Sequence, residues 1–223
     1  MSTSAKRGSV YLDFDRTLFD VDAMMRPVRE FLLSYIDEAI YQQAYLEAKR
    51  GGYSFERHVG ALGLSQEKQQ QARILFTSRT ELGDELLFSD VASTLLQLQE
   101  DFDLFLLTFG APELQQRKFL ACRLITGMFT DSYYVHGLQT KGQVLAEAAT
   151  GGGVSYFLDD SAFELQDVRK QAPKVGVVQI ARQGLSVKVG EILLDNDWPI
   201  VPDLSSFQAY LYESLESKSR TST

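Results

Sequence analysis

The chain has 223 residues, 44% of them apolar and 23% charged, a balance that excludes disordered and collagen-like sequences and predicts a core burying roughly 70% of the unfolded chain's accessible area. The 22 Lys and Arg against 30 Asp and Glu leave a net charge of -8, which repels phosphate backbones and anionic lipid, so no nucleic-acid and no membrane partner is expected. No apolar run approaches the ~18 residues of a membrane span, and the N-terminal MSTSAKRGSVYLDFD lacks the apolar centre of a signal peptide, so a cytoplasmic protein is expected.

In chain order, the first predicted strand is VYLDFD at 10–15. The 68 residues from Val21 to Phe88 then hold no strand-like run and show period-3.6 patterning, which predicts a helical insert. Its first helix is expected to follow Pro27, with Phe31, Leu32, Tyr35 and Ile36 on one face. A second should run to Arg50 and stop at Gly51 and Gly52, and Ser54 and Ser65 read as N-caps of a short third helix and a longer fourth one. Beyond the insert come a helix at 90–100 starting at Asp90, a strand at 102–108, a helix at 113–124 after Pro112 and a weaker strand at 129–135. A helix at 141–149 after Thr140, a strand at 154–160, a helix at 161–171 from Ser161 and a strand at 174–181 complete the pattern. The first seven residues and the polar SLESKSRTST at the end are expected to fray. Near-continuously apolar strands alternating with helices predict an α/β fold, a Rossmann-like doubly wound parallel sheet over 1–20 and 89–223 with an all-helical domain over 21–88.

Sites in such sheets lie beyond the carboxyl ends of the strands, where this sequence places polar groups repeatedly. The first strand ends in Asp13-Phe14-Asp15-Arg16-Thr17, two carboxylates that could serve as nucleophile and proton donor, ligate a cation, or merely cap a turn. The second ends in Thr108-Phe109-Gly110, a hydroxyl followed by a glycine, and Lys141 opens a helix where a cation opposes the helix dipole but helps to hold an anion. A later strand ends in Asp159-Asp160, adjacent acids that would repel each other unless a cation or a proton intervenes. One cysteine, Cys122, and two histidines, His58 and His136, build no thiolate or zinc site, so any metal is held by oxygen. Gly151 to Gly153 precede a strand and lack a following Gly-Lys-Ser/Thr, which makes them a turn and not a nucleotide loop.

The order of these features, DFDRTLF after one strand, a Thr after the next, a Lys, and YFLDDS after a fourth, resembles the haloacid dehalogenase superfamily over residues 10 to about 182. Thr108 follows Asp13 by 95 positions and Lys141 follows Thr108 by 33, so the insert resembles the family's helical cap placed after the first motif. The resemblance implies Asp13 as a nucleophile forming an aspartyl-phosphate, Asp15 as acid and base, and Thr108 and Lys141 as ligands of the phosphoryl oxygens. It implies Mg²⁺ held by Asp13, the main-chain carbonyl of Asp15, and Asp160, with Asp159 in or near that shell. An aspartate at position 15, which the dehalogenating branch lacks, favours phosphoryl chemistry. Arg16 stands where many members have glycine and, with Thr17 and Gly110, is a candidate substrate contact.

The insert carries 8 cationic and 11 anionic side chains between Asp20 and Phe88, which favours a small leaving group, and Lys49, Arg50 and Arg57 are its candidate substrate contacts. The expectation is therefore a Mg²⁺-dependent phosphatase of a small phosphorylated metabolite. A phosphomutase on the same scaffold, or a non-catalytic module binding a protein partner through the insert, are the alternatives; the oligomeric state is not legible.

Overall fold

The computed structural model describes residues 5–50, 52–149, 153–185 and 197–221; Gly51 of the expected helix stop and Gly151 and Gly152 of the expected glycine turn thus lie outside the described residues. Six strands form one parallel sheet in the order β3-β2-β1-β4-β5-β6. They are β1 (Gly8–Leu12), β2 (Phe102–Phe109), β3 (Asp131–Val135), β4 (Val154–Asp159), β5 (Gly176–Ile180) and the short β6 (Ile200–Val201). Alternate side chains of β1 serve opposite faces, as the pleat requires. Val10 and Leu12 join Leu104, Leu106, Leu158 and Val178 in one buried cluster, and Tyr11 joins Leu107, Phe157 and Val177 in the other. Helices on both faces cover these apolar strands, and the doubly wound α/β architecture expected from the sequence is the one observed.

The topology fixes where the polar strand ends meet. From β1 the chain builds outward through β2 and β3 and then crosses back to set β4 on the other side of β1. The order therefore reverses at β1, and the crevice outside its carboxyl end is the place where such sheets bind ligands. Leu12 is in register with both Leu106 and Leu158, and the Asp13 amide donates to the Leu158 carbonyl at 2.9 Å, which brings Asp13 beside Asp159.

Between β1 and β2 lie α1 (Val21–Leu33), α2 (Glu38–Ala48), α3 (Phe55–Gly60), α4 (Gln66–Thr80), a single 3-10 turn at Gly83–Leu86, and α5 (Val91–Asp101). The serine caps of α3 and α4 are as expected, with Ser54 accepting from the Arg57 amide and Ser65 from the Lys68 amide. The start of α1 is not. It begins six residues before Pro27, capped by Asp20, which accepts from the Ala23 amide at 2.8 Å, and it ends before Tyr35 and Ile36. A proline inside a helix leaves the carbonyl four residues earlier without its N–H. Here that carbonyl, Ala23 O, accepts from Arg79 Nη2 of α4 at 3.3 Å. The helix is continuous because a neighbouring side chain replaces the missing donor.

The remaining helices are α6 (Pro112–Ala121), the short α7 (Arg123–Thr126), α8 (Lys141–Ala148), α9 (Ala162–Gln171) and α10 (Leu204–Thr221). Cys122 is buried between α6 and α7 instead of inside one helix. The C-terminal segment expected to fray is helical to Thr221, because Leu204, Phe207 and Leu211 bury one face of α10 in the core and Leu215 extends that contact. No helix among the described residues is long and apolar enough to cross a membrane.

Candidate active site

Asp13 follows the last residue of β1 and is buried, and Lys141 at the first position of α8 is buried against it. The Lys141 Nζ donates to Asp13 Oδ1 and to Asp159 Oδ2, both at 2.6 Å. Thr140 places the lysine by capping α8, its hydroxyl accepting from the Gln143 amide while the Gln143 side chain accepts from the Thr140 amide. Asp159 Oδ1 accepts from the Ser161 amide at 2.8 Å, so both oxygens of Asp159 serve to hold Lys141 and the start of α9. Burial works against charge on all three side chains. It pushes the Asp13 and Asp159 carboxyls up, opposed by Lys141, and it pushes the Lys141 ammonium down, where Asp13 and Asp159 outweigh it and leave the lysine above its ordinary value.

Ligand oxygens of Asp13, Asp159 and Asp160 lie within 4.8 Å of one another. Three hard oxygen donors converging at a strand end suit a small divalent cation. Gln179 of β5, itself held by the Trp198 indole N–H at 3.1 Å, donates to the Asp160 carbonyl at 3.1 Å and steadies that corner.

Asp15 belongs to a second cluster. Its carboxylate accepts from Lys118 Nζ at 2.5 and 2.7 Å and from Gln115 Nε2 at 3.0 Å. The same amide nitrogen lies 3.2 Å from Thr108 Oγ1 and 3.0 Å from the Phe109 carbonyl. Lys118 and Gln115 are both buried, and Phe14 and Phe19 lie with their ring centroids 5.5 Å from the ammonium. Neither residue stands out in the sequence, because a Gln and a Lys three apart on a helix read as a solvated face. Gly110 makes room for Gln115, since a Cβ there would sit 2.9 Å from Gln115 Nε2 and 3.1 Å from its Cγ.

The other expected contacts are distributed around this centre. Arg16 takes a left-handed backbone, φ 67°, the only non-glycine residue among those described to do so, which accounts for a position that suits glycine. Its guanidinium pairs with Asp22 in the first turn of α1 at 2.9 and 3.0 Å. Thr17 is fully buried; its carbonyl accepts from the Arg182 guanidinium at 2.7 and 3.1 Å, which also reaches Asp90 Oδ1 at 2.6 Å and lies over the Phe88 ring. Arg182 thereby ties the outgoing segment at Thr17 to the returning one at Asp90, beside the contact where the Asp20 amide donates to Leu86 O and the Phe88 amide to Leu18 O. Arg57 spends its guanidinium on the carbonyls of Ala48, Arg50 and Gly52, and a Cβ at Gly52 would come within 3.7 Å of the Gly110 backbone. Arg50 is exposed, and Lys49 lies over the Tyr45 ring at 5.3 Å. His58 is buried among Tyr41, Tyr45 and Tyr53, and His136 is exposed.

No family model matches the sequence, and no curated protein does. Solved structures do match in shape. A haloacid dehalogenase-like hydrolase from Burkholderia xenovorans LB400 superimposes with a TM-score of 0.75 at 15% identity, over 95% of this chain and 99% of the other. The HAD-hydrolase YfnB from Bacillus subtilis, a magnesium-bound structure, gives 0.60 at 14% identity over 93% and 99%. The L-2-haloacid dehalogenase of Xanthobacter autotrophicus gives 0.59 at 17% over 93% and 99%. These likenesses extend over more than nine-tenths of each chain, and the chain has the haloacid dehalogenase-like fold.

Proposed function

We propose that the chain is a Mg²⁺-dependent phosphatase of small phosphomonoesters. The observation that carries this reading is the Asp15 carboxylate, two residues beyond Asp13, with its side chain 28% exposed and held from behind by Lys118 and Gln115. A hydrolase working through a carboxylate ester alone has no use for a second acid there, whereas a departing alkoxide needs a proton.

In the reaction, an Asp13 carboxylate oxygen attacks phosphorus in line, the bond from phosphorus to the ester oxygen breaks, and Asp15, which enters this step as the protonated carboxyl group, gives its proton to the departing alkoxide and is left as the carboxylate. Asp15 then takes a proton from the water that attacks the aspartyl-phosphate, releasing inorganic phosphate and restoring Asp13. Lys141 keeps Asp13 in place and, with the Thr108 hydroxyl, offsets charge on the phosphoryl oxygens. Asp13, Asp160 and the main-chain carbonyl of Asp15 would hold Mg²⁺, which supplies positive charge against the phosphoryl group. The donor set fits that ion, and the resemblance to a magnesium-bound hydrolase of the same fold supports the assignment. The helices between β1 and β2 close over the leaving group, and their net negative charge favours a small substrate over a polyanion.

Phosphate release from a panel of aryl, sugar, nucleotide and other alkyl phosphomonoesters, with Mg²⁺ and with chelator, tests the reading in the wild type and in Asp13→Asn. Metal-dependent release lost in the variant is expected. Halide release from a 2-haloacid, with no phosphate from any ester, would replace the phosphatase by a dehalogenase.

A further inference from the structure

The Lys118 and Gln115 side chains reach the site from α6, which carries neither a metal-ligating carboxylate nor the nucleophile. Together they donate three hydrogen bonds to the Asp15 carboxylate, two from the ammonium and one from the amide. Lys118 is buried with Asp15 as its one carboxylate partner among the described residues, and the rings of Phe14 and Phe19 close off its other side. The Gln115 amide is shared between Asp15, Thr108 Oγ1 and the Phe109 carbonyl, so it fixes the spacing between the acid and the hydroxyl. Because Thr108 Oγ1 accepts this bond, its own O–H is left to donate. Gln115 Oε1 is buried with no hydrogen-bond partner among the described residues, and Gly110 lacks a Cβ where one would strike Gln115. A buried ammonium and an amide with one unpaired atom are a costly way to fill a helix interface if packing were their whole purpose.

We propose that Lys118 and Gln115 are positioning residues of the reaction: they hold the Asp15 carboxylate in the one orientation from which it serves the leaving oxygen, and they turn the Thr108 hydroxyl toward the phosphoryl group. The proposal rests on the phosphatase reading. It assigns a role to a Lys-Gln pair on the helix after the second motif and predicts a dependence on the leaving group, because an aryl ester such as p-nitrophenyl phosphate departs without a proton while an alkyl ester requires one.

The test compares kcat/KM, which reports only the steps through release of the alcohol, for p-nitrophenyl phosphate and for the best alkyl phosphomonoester of the panel. It uses the wild type, Lys118→Met, Lys118→Arg and Gln115→Met, each first shown to melt cooperatively. Loss of a positioned acid is worth about 10² to 10⁴ in rate, so Lys118→Met is expected to lose about 10- to 100-fold more on the alkyl than on the aryl ester, with Lys118→Arg recovering part of it. If Lys118→Met does not fold, Gln115→Met, which strands no buried charge, carries the same expectation in smaller measure. Equal losses on both esters, no loss on either, or a wild type active on aryl but not alkyl esters would overturn the positioning role and leave the phosphatase standing. A wild type that releases phosphate from neither ester would overturn the phosphatase reading itself.

Discussion

Lys118 and Asp15 form an unequal ion pair: the ammonium is 2% exposed and the carboxylate 28%, at 2.5 and 2.7 Å. The two partners therefore respond differently to loss of the other. A carboxylate that can turn to water survives without its lysine, whereas a buried ammonium deprived of its counter-charge does not, and breaking such a pair costs roughly 3 to 5 kcal/mol. Asp15→Asn is accordingly expected to destabilise the chain by about 3 kcal/mol, more than Lys118→Met does, and the double variant Asp15→Asn/Lys118→Met should recover most of the loss without regaining activity. Urea denaturation of the three variants checks the order. A double variant no more stable than Asp15→Asn would show that the pair is not the source of the cost.

The Pro27 carbonyl gap makes a second coupling measurable. Arg79→Met removes the donor to Ala23 O, while Pro27→Ala restores the N–H that α1 lacks there. Each single change alters other terms as well, helix propensity for the proline and burial for the arginine. Their interaction isolates the shared carbonyl: Arg79→Met should cost about 1 kcal/mol less in a Pro27→Ala background than in the wild type, the worth of one hydrogen bond. Additive changes in denaturant midpoint would refute the substitution of one donor for the other.

That proline also marks where the sequence misleads. Read locally, Pro27 belongs at the start of a helix, and only Arg79, 52 positions later in the chain, makes an interior position tolerable. The helix at the C terminus hid for a related reason: its polar residues dominate the last ten positions, and only contact with the sheet shows that Leu211 and Leu215 face the core. The first five strands and the acids at their ends were legible, because burial on both faces demands unbroken apolar runs and the polar residues that follow them are conspicuous, whereas the two-residue β6 is too short to leave such a run. Lys118 and Gln115 were not, because nothing in a helical sequence distinguishes a lysine facing water from one facing an aspartate 103 residues earlier.

Arg16 offers a test of backbone strain at the start of the helical insertion. A non-glycine residue at φ 67° costs roughly 1 to 2 kcal/mol, and the Arg16 pair with Asp22, whose side chains are 18% and 39% exposed, returns less than about 1 kcal/mol. Arg16→Ala loses the pair and keeps the strain; Arg16→Gly loses the pair and relieves it. The glycine variant is therefore expected to be the more stable of the two by about 1 kcal/mol in thermal or urea unfolding. Should alanine equal or exceed glycine, the left-handed conformation is not what that position has to support.

His58 sets a pH dependence in the helical insertion. Its ring is buried, with Nδ1 3.0 Å from the Tyr53 hydroxyl and the Tyr41 ring centroid at 4.7 Å. Burial holds its pKa below the ordinary 6.5, with a bond to the Tyr41 main chain working the other way. The unfolded chain thus binds a proton at a higher pH than the folded chain does, and by linkage the stability contributed by neutral His58 is complete above pH 6.5 and is lost as the pH falls below it toward the folded value. Carboxylates titrate over part of the same range, burial having raised Asp13 and Asp159, but they are common to wild type and variant. The melting temperature of the wild type is therefore expected to fall more steeply between pH 7 and pH 5 than that of His58→Gln, which keeps a polar side chain that does not titrate. Parallel slopes would mean that His58 accepts its proton in place, with the tyrosine rings stabilising the imidazolium as they do Lys49 and Arg29 at their own faces.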